Sequence, residues 1–442
     1  MSEDRPYRVI GLVSALFVVL IGVVFFCSVY AADIGPRRDL LSAPSWVLQG
    51  SVADDYFATM NCADTQSTFN TPRSVPCASH YQTVWPSPSG YTANVSQFAC
   101  EWQDGHLSYI TAQAAATYPV NPSNTCITDK GLGAWEGRTN LLLYSAGSGT
   151  GWTHTIGSYA SGLAAPDGTS TAASGVATAQ YQTISAASTA PVLTAATQYT
   201  ASCYLKAATA SYPNVTIQYY DTVSLNKTQT FTVGTTWARY SYTFTTGASI
   251  GTGASFGVQD NNSSAWQTIY AWGCQVEANT GGFATPYIPT TASAVTRPAS
   301  NIQTVSTGAM DTCLRATPGA VFVQTNGVSY TTNNIVTRFV GNWYGLAENT
   351  ASGAYGYDGT TFISVTAGSG TWASRAKISY TYNGANTKYQ WNAGTIASNT
   401  GTRTNATGLI YIGSLNGTSN YMNGYLERLA CGTQYQLFPT NP

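Results

Sequence analysis

The sequence predicts an all-β protein: two tandem β-sandwiches behind an N-terminal hydrophobic helix and a disulfide-pinned irregular region. Three observations carry this. Charged residues make up only 8% of the 442, where about a quarter is usual in globular proteins, and Thr, Ser, Gly, Asn and Tyr take their place. Tyr, Trp, Thr and Val suit a pleated surface, while Gly and Asn suit the turns between strands. Short runs of period-2 alternation recur after residue 134, and the cysteines outside the N-terminal segment are even in number, as a disulfide framework requires.

The first element is the run from Val9 to Ala32, which carries no charge. Its apolar heart, Val9 to Cys27, approaches the ~20 residues that span a bilayer as a helix and exceeds an ordinary signal-peptide core. Val29-Tyr30-Ala31 also offers small residues to a signal peptidase. Residues 1–32 therefore read as a cleaved signal peptide or a retained anchor, with residues 9–31 in the membrane in the second case. Arg5 and Arg8 lie on one side and Arg37 and Arg38 on the other, so loop charge does not choose between orientations. Both readings send the remaining chain to an extracellular, cell-surface or virion location.

Cysteine usage agrees with export. Cys62, Cys77, Cys100, Cys126, Cys203, Cys274, Cys313 and Cys431 are the disulfide candidates. Neighbours in sequence are the default pairs, such as Cys62 with Cys77 and Cys100 with Cys126. Metal binding is disfavoured by the lack of any CxxC and by only three histidines, His80, His106 and His154, so neither metal nor cofactor is expected. Residues 33–134, rich in Ser, Pro, Asn and Thr around four of these cysteines, read as the irregular or short-stranded region.

Residues 135–290 carry the first sandwich. In "NVTIQYYD" Val215, Ile217 and Tyr219 alternate with polar neighbours; in "WARYSYTFTT" Ala238, Tyr240, Tyr242 and Phe244 share one side; in "YTASCYLKA" Ala201, Cys203 and Leu205 do. Strict alternation in "YAWGCQVEA" turns Tyr270, Trp272, Cys274 and Val276 inward and Gln275 and Glu277 outward. Cys203 and Cys274 then both face the core, so a bridge between adjacent strands or across the sandwich is geometrically reasonable. Residues 279–300 break the pattern with Gly281, Gly282, Pro286, Pro289 and Pro298, leaving 291–300 as the linker. A second β series, from "AVFVQTN" to "GYLERLACG", fills residues 301–442.

The motifs "EGRTNLLLYS", "APDGTSTA", "YTASCYLKA" and "WGCQVEA...TPYIPTTASAVTRPA" resemble, in that order, the carbohydrate-binding-module-like jelly roll of many phage and prophage structural proteins. "ISYTYNG...IYIGSLNGTSNYMNGYLERLA" resembles the concanavalin A-like, laminin G-like sandwich that often follows it. The resemblance covers about residues 135 to 432. It implies fold and a carbohydrate-binding or structural role in a virion or at a surface. Cys203, Cys274 and the N-terminal apolar segment depart from that pattern and point to an oxidising exterior.

Function is read from what the residues can do. Net charge is −1 without a long Lys or Arg cluster, which argues against nucleic acid. No GxSxG elbow, phosphate loop or dinucleotide fingerprint occurs. Glu101 with Asp104, Asp54 with Asp55, and Glu427 are the acid candidates; a glycosidase needs two carboxylates close together, the resemblance implies that on this fold they alternate along one strand, and none of these forms such a pair on a strand of the last domain. No residue pattern marks a catalytic site. Sugars ask for aromatic rings beside amides and carboxylates; Tyr220, Gln275, Glu277, Trp343, Trp372 and Trp391 are the carbohydrate-binding candidates, with Tyr344 and Tyr389 nearby. A core or interface role is the competing reading for each aromatic, and strand-end capping or pairing with Arg138 for Gln275 and Glu277. The expected function is a non-enzymatic surface or virion protein that binds a glycan or polysaccharide. The alternatives are a structural component whose sandwiches act as spacers or homo-oligomer contacts, and a polysaccharide-degrading enzyme with an unrecognised site.

Overall fold

The computed structural model describes residues 58–61, 98–101, 105–109, 120–128, 130–187, 191, 193–220, 223, 227–251, 254–278, 281–304, 309–327, 345–350, 353–357, 362–366, 376–391, 395–400, 410–414 and 421–432. These form β-strands and one short helix, Ala309–Arg315. The apolar run at residues 9–32 and the Cys62–Cys77 candidate pair lie outside them. Among the described residues no helix is long and apolar enough to cross a membrane.

The first sandwich is two five-stranded antiparallel sheets. One runs in the order Ala238–Thr245, Gln198–Ala207, Ile269–Ala278, Ala172–Val176, Ser158–Leu163; the other runs Lys227–Val233, Tyr212–Tyr220, Ser255–Asp260, Gln182–Ala187, Trp152–Thr153. Between them lies one core. Ala201, Cys203, Leu205, Tyr242, Phe244, Cys274 and Val276 enter it from the first sheet, and Val215, Ile217, Tyr219, Phe256 and Val258 from the second. The alternation read in "YTASCYLKA", "NVTIQYYD" and "WARYSYTFTT" is the alternation that packs.

The strand of "YAWGCQVEA" departs from strict alternation. Ser202 faces Gln275, but Tyr204 faces Trp272, so Cys203 alone stands opposite Gly273 and Cys274. This is a β-bulge, and Gly273 takes φ +59° there, a left-handed conformation that glycine adopts without steric cost. The extra residue reverses the parity upstream. Ile269 and Ala271 enter the core with Cys274 and Val276, whereas Trp272 turns to the outer face and packs with Tyr204 and Tyr287. The expectation that Tyr270 and Trp272 point inward is thereby corrected.

Cys203 and Cys274 form a disulfide between adjacent strands of this sheet, with Cα atoms 4.1 Å apart. Cys100 and Cys126 form a second, 5.3 Å between Cα atoms, packed with Phe98. Cys313 lies on the Ala309–Arg315 helix, which packs against the strand that carries Cys431.

A third large sheet has eight strands. Its order is Ala397–Thr400, Asn386–Trp391, Ala376–Tyr382, Gly319–Gly327, Gly424–Gly432, Gly131–Ala134, Ile127–Thr128, and Ala58–Asn61 also pairs with Gly424–Gly432. A three-stranded sheet of Gly345–Thr350, Gly353–Tyr357 and Phe362–Thr366 lies against two of its strands, Asn386–Trp391 and Ala397–Thr400. Read locally, the sequence sets residues 33–134 apart from 301–442; strand pairing joins them in one sheet. Arg138–Asn140 pairs with Val295–Arg297, and Val120–Ser123 with Asn301–Thr304. The first sandwich is thus an insertion, entered and left through a two-stranded neck.

Candidate functional site

After its last strand the first sandwich returns over the outer face of its own sheet, and buried polar side chains fasten this exit segment. Gln275 and Glu277 are both 0% exposed. Glu277 Oε1 accepts from Thr285 N at 2.7 Å and its Oε2 from Thr285 Oγ1 at 2.7 Å, while Gln275 Oε1 accepts from Ile288 N at 2.8 Å. Asn140, also buried, donates from Nδ2 to Ile288 O at 2.8 Å and accepts at Oδ1 from Leu142 N and Val276 N. Such side chains satisfy backbone groups that a segment crossing a sheet face would otherwise leave unpaired. The two outward residues of "WGCQVEA" do point away from the core, and they lie beneath the exit segment with no open groove over them.

The neck collects charge. Arg138 is ion-paired with Glu136, and buried Arg297 donates to the carbonyl oxygens of Glu136 and Pro298. Burial pushes Arg297 down to about 10, against the pull of the Glu277 and Glu136 carboxylates. Burial also raises the Glu136 carboxyl above its usual range, with Arg138 opposing.

A cleft of about 310 Å³ opens beside the exit segment on the outer face of the first sheet. Tyr204, Arg239 and Ser241 reach it from the sheet, and Phe283 and Pro286 from the exit segment. Glu101, Lys130, Trp135 and Tyr425 come from strands and turns on the other side of the neck. Trp135 stands edge-on to Tyr425, with ring centroids 5.4 Å apart, and 6.5 Å from Phe283. Glu101 and Lys130 form an ion pair at 3.2 Å, each side chain about a quarter exposed (26% and 27%). Arg239 donates from Nε and Nη2 to Ser202 Oγ at 3.2 and 2.9 Å and from Nη1 to Thr285 O, with its guanidinium 5.6 Å from the Tyr204 ring centre. Burial holds the Tyr204 hydroxyl well above the usual phenol range, so it stays protonated. Glu101 is the one carboxylate among the described residues that line the cleft.

The residues singled out in the sequence are not brought together. Tyr220 is half-buried on the second sheet of the sandwich, the sheet opposite Gln275 and Glu277. Trp391 is fully buried in the eight-stranded sheet beside Tyr389. Trp343, Tyr344 and Trp372 lie outside the described residues, as do Asp54, Asp55 and Asp104, and of Glu427 only the backbone is described. Sequence reasoning passed over Tyr204, Arg239, Trp135, Phe283 and Tyr425. A signal for the first two was present: each is the odd member of an alternating run, opposite Cys203 and Tyr240, and so faces away from the core. Nothing local marks Trp135 or Tyr425, because the neck brings them in from far along the chain. Among the described residues no group of three His, Cys, Asp or Glu could hold a metal ion.

No family model and no curated protein matches the sequence. Among solved structures, the CBM22-1 xylan-binding domain of Paenibacillus barcinonensis Xyn10C aligns at 14% identity and TM-score 0.25, over 33% of this chain and 96% of that one. The CBM22-1-CBM22-2 tandem domain of the same protein aligns at 10% identity and TM-score 0.26, over 69% and 92%. Mouse laminin alpha1 domains LG4-5 align at 8% identity and TM-score 0.20, over 66% and 94%. Likeness at these scores decides nothing about a site or a ligand; the chain's own strand pairing makes it a β-sandwich protein.

Proposed function

We propose that this chain is an exported surface or virion protein that binds a carbohydrate in the cleft between Tyr204, Arg239, Trp135 and Tyr425. The observation that supports it is the composition of that cleft. Aromatic rings offer a surface for the C–H face of a sugar, while Glu101, Lys130 and Arg239 supply hydrogen-bonding partners for hydroxyls, the combination expected of a small-ligand site. Two disulfides, Cys100–Cys126 and Cys203–Cys274, favour an oxidising compartment, in keeping with residues 1–32 as a signal or anchor. Hydrolysis by a pair of carboxylates needs two acids, and among the described residues that line the cleft Glu101 is the one carboxylate.

The test is a glycan array probed with the full chain, followed by titration of any ligand found. Replacing Glu101 by Gln together with Lys130 by Ala removes cleft groups that are partly exposed, so the fold survives and affinity drops about tenfold or more. Absence of binding to every glycan, with defined multimers by light scattering, would instead support the structural role.

A further inference from the structure

Resting on that reading of the cleft, we infer that its preferred ligand is an acidic sugar whose carboxylate is taken by Arg239. Three cations of the described residues are ion-paired nearby: Lys130 with Glu101, Arg138 with Glu136 and Arg315 with Asp311. Arg239 is not. Its contacts are the Ser202 hydroxyl, the Thr285 carbonyl and the face of Tyr204, all of them neutral. Those acceptors use some of the five N–H groups of a guanidinium, and the rest have no acceptor among the described residues. A half-buried guanidinium held rigidly by neutral partners keeps its full charge available, and its planar fork matches a carboxylate with two parallel hydrogen bonds.

The local charge balance agrees. Glu101 and Lys130 cancel each other at 3.2 Å, so among the described residues that line the cleft Arg239 leaves one positive charge in excess. The Glu277 carboxylate, bound by Thr285, the residue whose carbonyl Arg239 also holds, is buried outside the cleft lining and its charge acts on Arg297. The same threonine therefore separates the buried acid from the cleft-lining base, and sets the guanidinium where a ligand's acid can reach it. The Tyr204 ring lies beside that position, and Trp135 and Tyr425 frame the other side, leaving hydroxyls to Glu101 and Lys130.

The experiment uses the full chain and a panel of uronic-acid and sialic-acid oligosaccharides, each beside its methyl ester, plus neutral oligosaccharides of equal length and polyglutamate. At least one free acid is expected to bind about tenfold or more tighter than its own ester, with affinity falling as salt rises. Arg239→Gln removes that discrimination while leaving weak, equal binding of acid and ester, and Arg239→Lys restores part of it. A melting curve for each variant separates this from loss of fold, because Arg239 also ties Ser202 to Thr285. Equal affinity for acid and ester in the unaltered protein overturns the inference and leaves glycan binding standing. Competition by polyglutamate as effective as by the sugar also overturns it. No binding to any member of the panel overturns both.

Discussion

Glu277 and Thr285 are bound to each other twice, one carboxylate oxygen accepting from the threonine backbone N–H and the other from its hydroxyl, both at 2.7 Å and both residues shut off from solvent. This single carboxylate pins the exit segment to the sheet it has just left, and its charge also faces Arg297 in the neck. Replacing Glu277 by Ala leaves Thr285 unpaired and Arg297 short of a counter-charge. We expect a loss of about 3 kcal/mol in urea unfolding, with the protons of residues 283–288 exchanging faster. Unchanged exchange there would show that the segment is held by other means.

Gly273 sits at the bulge with φ +59°, and a Cβ on it would meet Tyr204 Cδ2 at 3.1 Å. Gly273→Ala therefore combines backbone strain with displacement of a ring that lines the cleft. The expected cost is about 1–2 kcal/mol, and ligand affinity falls with it. A variant as stable as the parent would mean that Tyr204 moves freely, contrary to its close packing with Trp272 and Tyr287.

The Cys203–Cys274 disulfide closes a loop with a sequence separation of 71 and lies inside the sandwich core. Substituting both cysteines by Ala removes the loop-closure restraint and some core volume, and should lower stability by about 3–4 kcal/mol. The check is chemical denaturation of the oxidised protein beside the double variant. Coincident curves would remove the bridge from the list of stabilising contacts.

Tyr212 donates its hydroxyl hydrogen to buried Asp260 at 3.0 Å. Burial first, and that carboxylate second, push its ionisation up to about 12. The unfolded phenol ionises near 10, so the folded state holds the proton more tightly. The resulting stability is fully present below about pH 10 and is lost as pH rises through 10 toward 12. Melting temperatures measured across that window should fall more steeply for the parent than for Tyr212→Phe. Parallel slopes would rule out this linkage.

How much of this was legible beforehand differs from element to element. Val215, Ile217, Tyr219, Ala201, Cys203 and Leu205 declare their faces in the sequence, because period-2 alternation is a local property of a strand with one buried side. The same logic places Gln275 and Glu277 on the outer face, where they are. It fails at Trp272, since a bulge is a mismatch between two strands and its parity shift is written in neither strand alone. Gly273 was the available clue, an isolated glycine inside an alternating run.

The sequence by itself determined an all-β chain, the inward faces of most strands in the first sandwich, the break after Ala278 and the placement of Cys203 and Cys274 on core-facing positions. These follow from side-chain period, turn chemistry and cysteine placement, all of which act over a few residues. Only the tertiary structure decided that the exit segment covers Gln275 and Glu277, that strands before and after the first sandwich share one sheet, and that Trp135, Tyr204, Arg239 and Tyr425 meet around a cleft. Those are outcomes of pairing between distant segments, where register and closure are chosen by total burial and hydrogen-bond satisfaction across the whole unit.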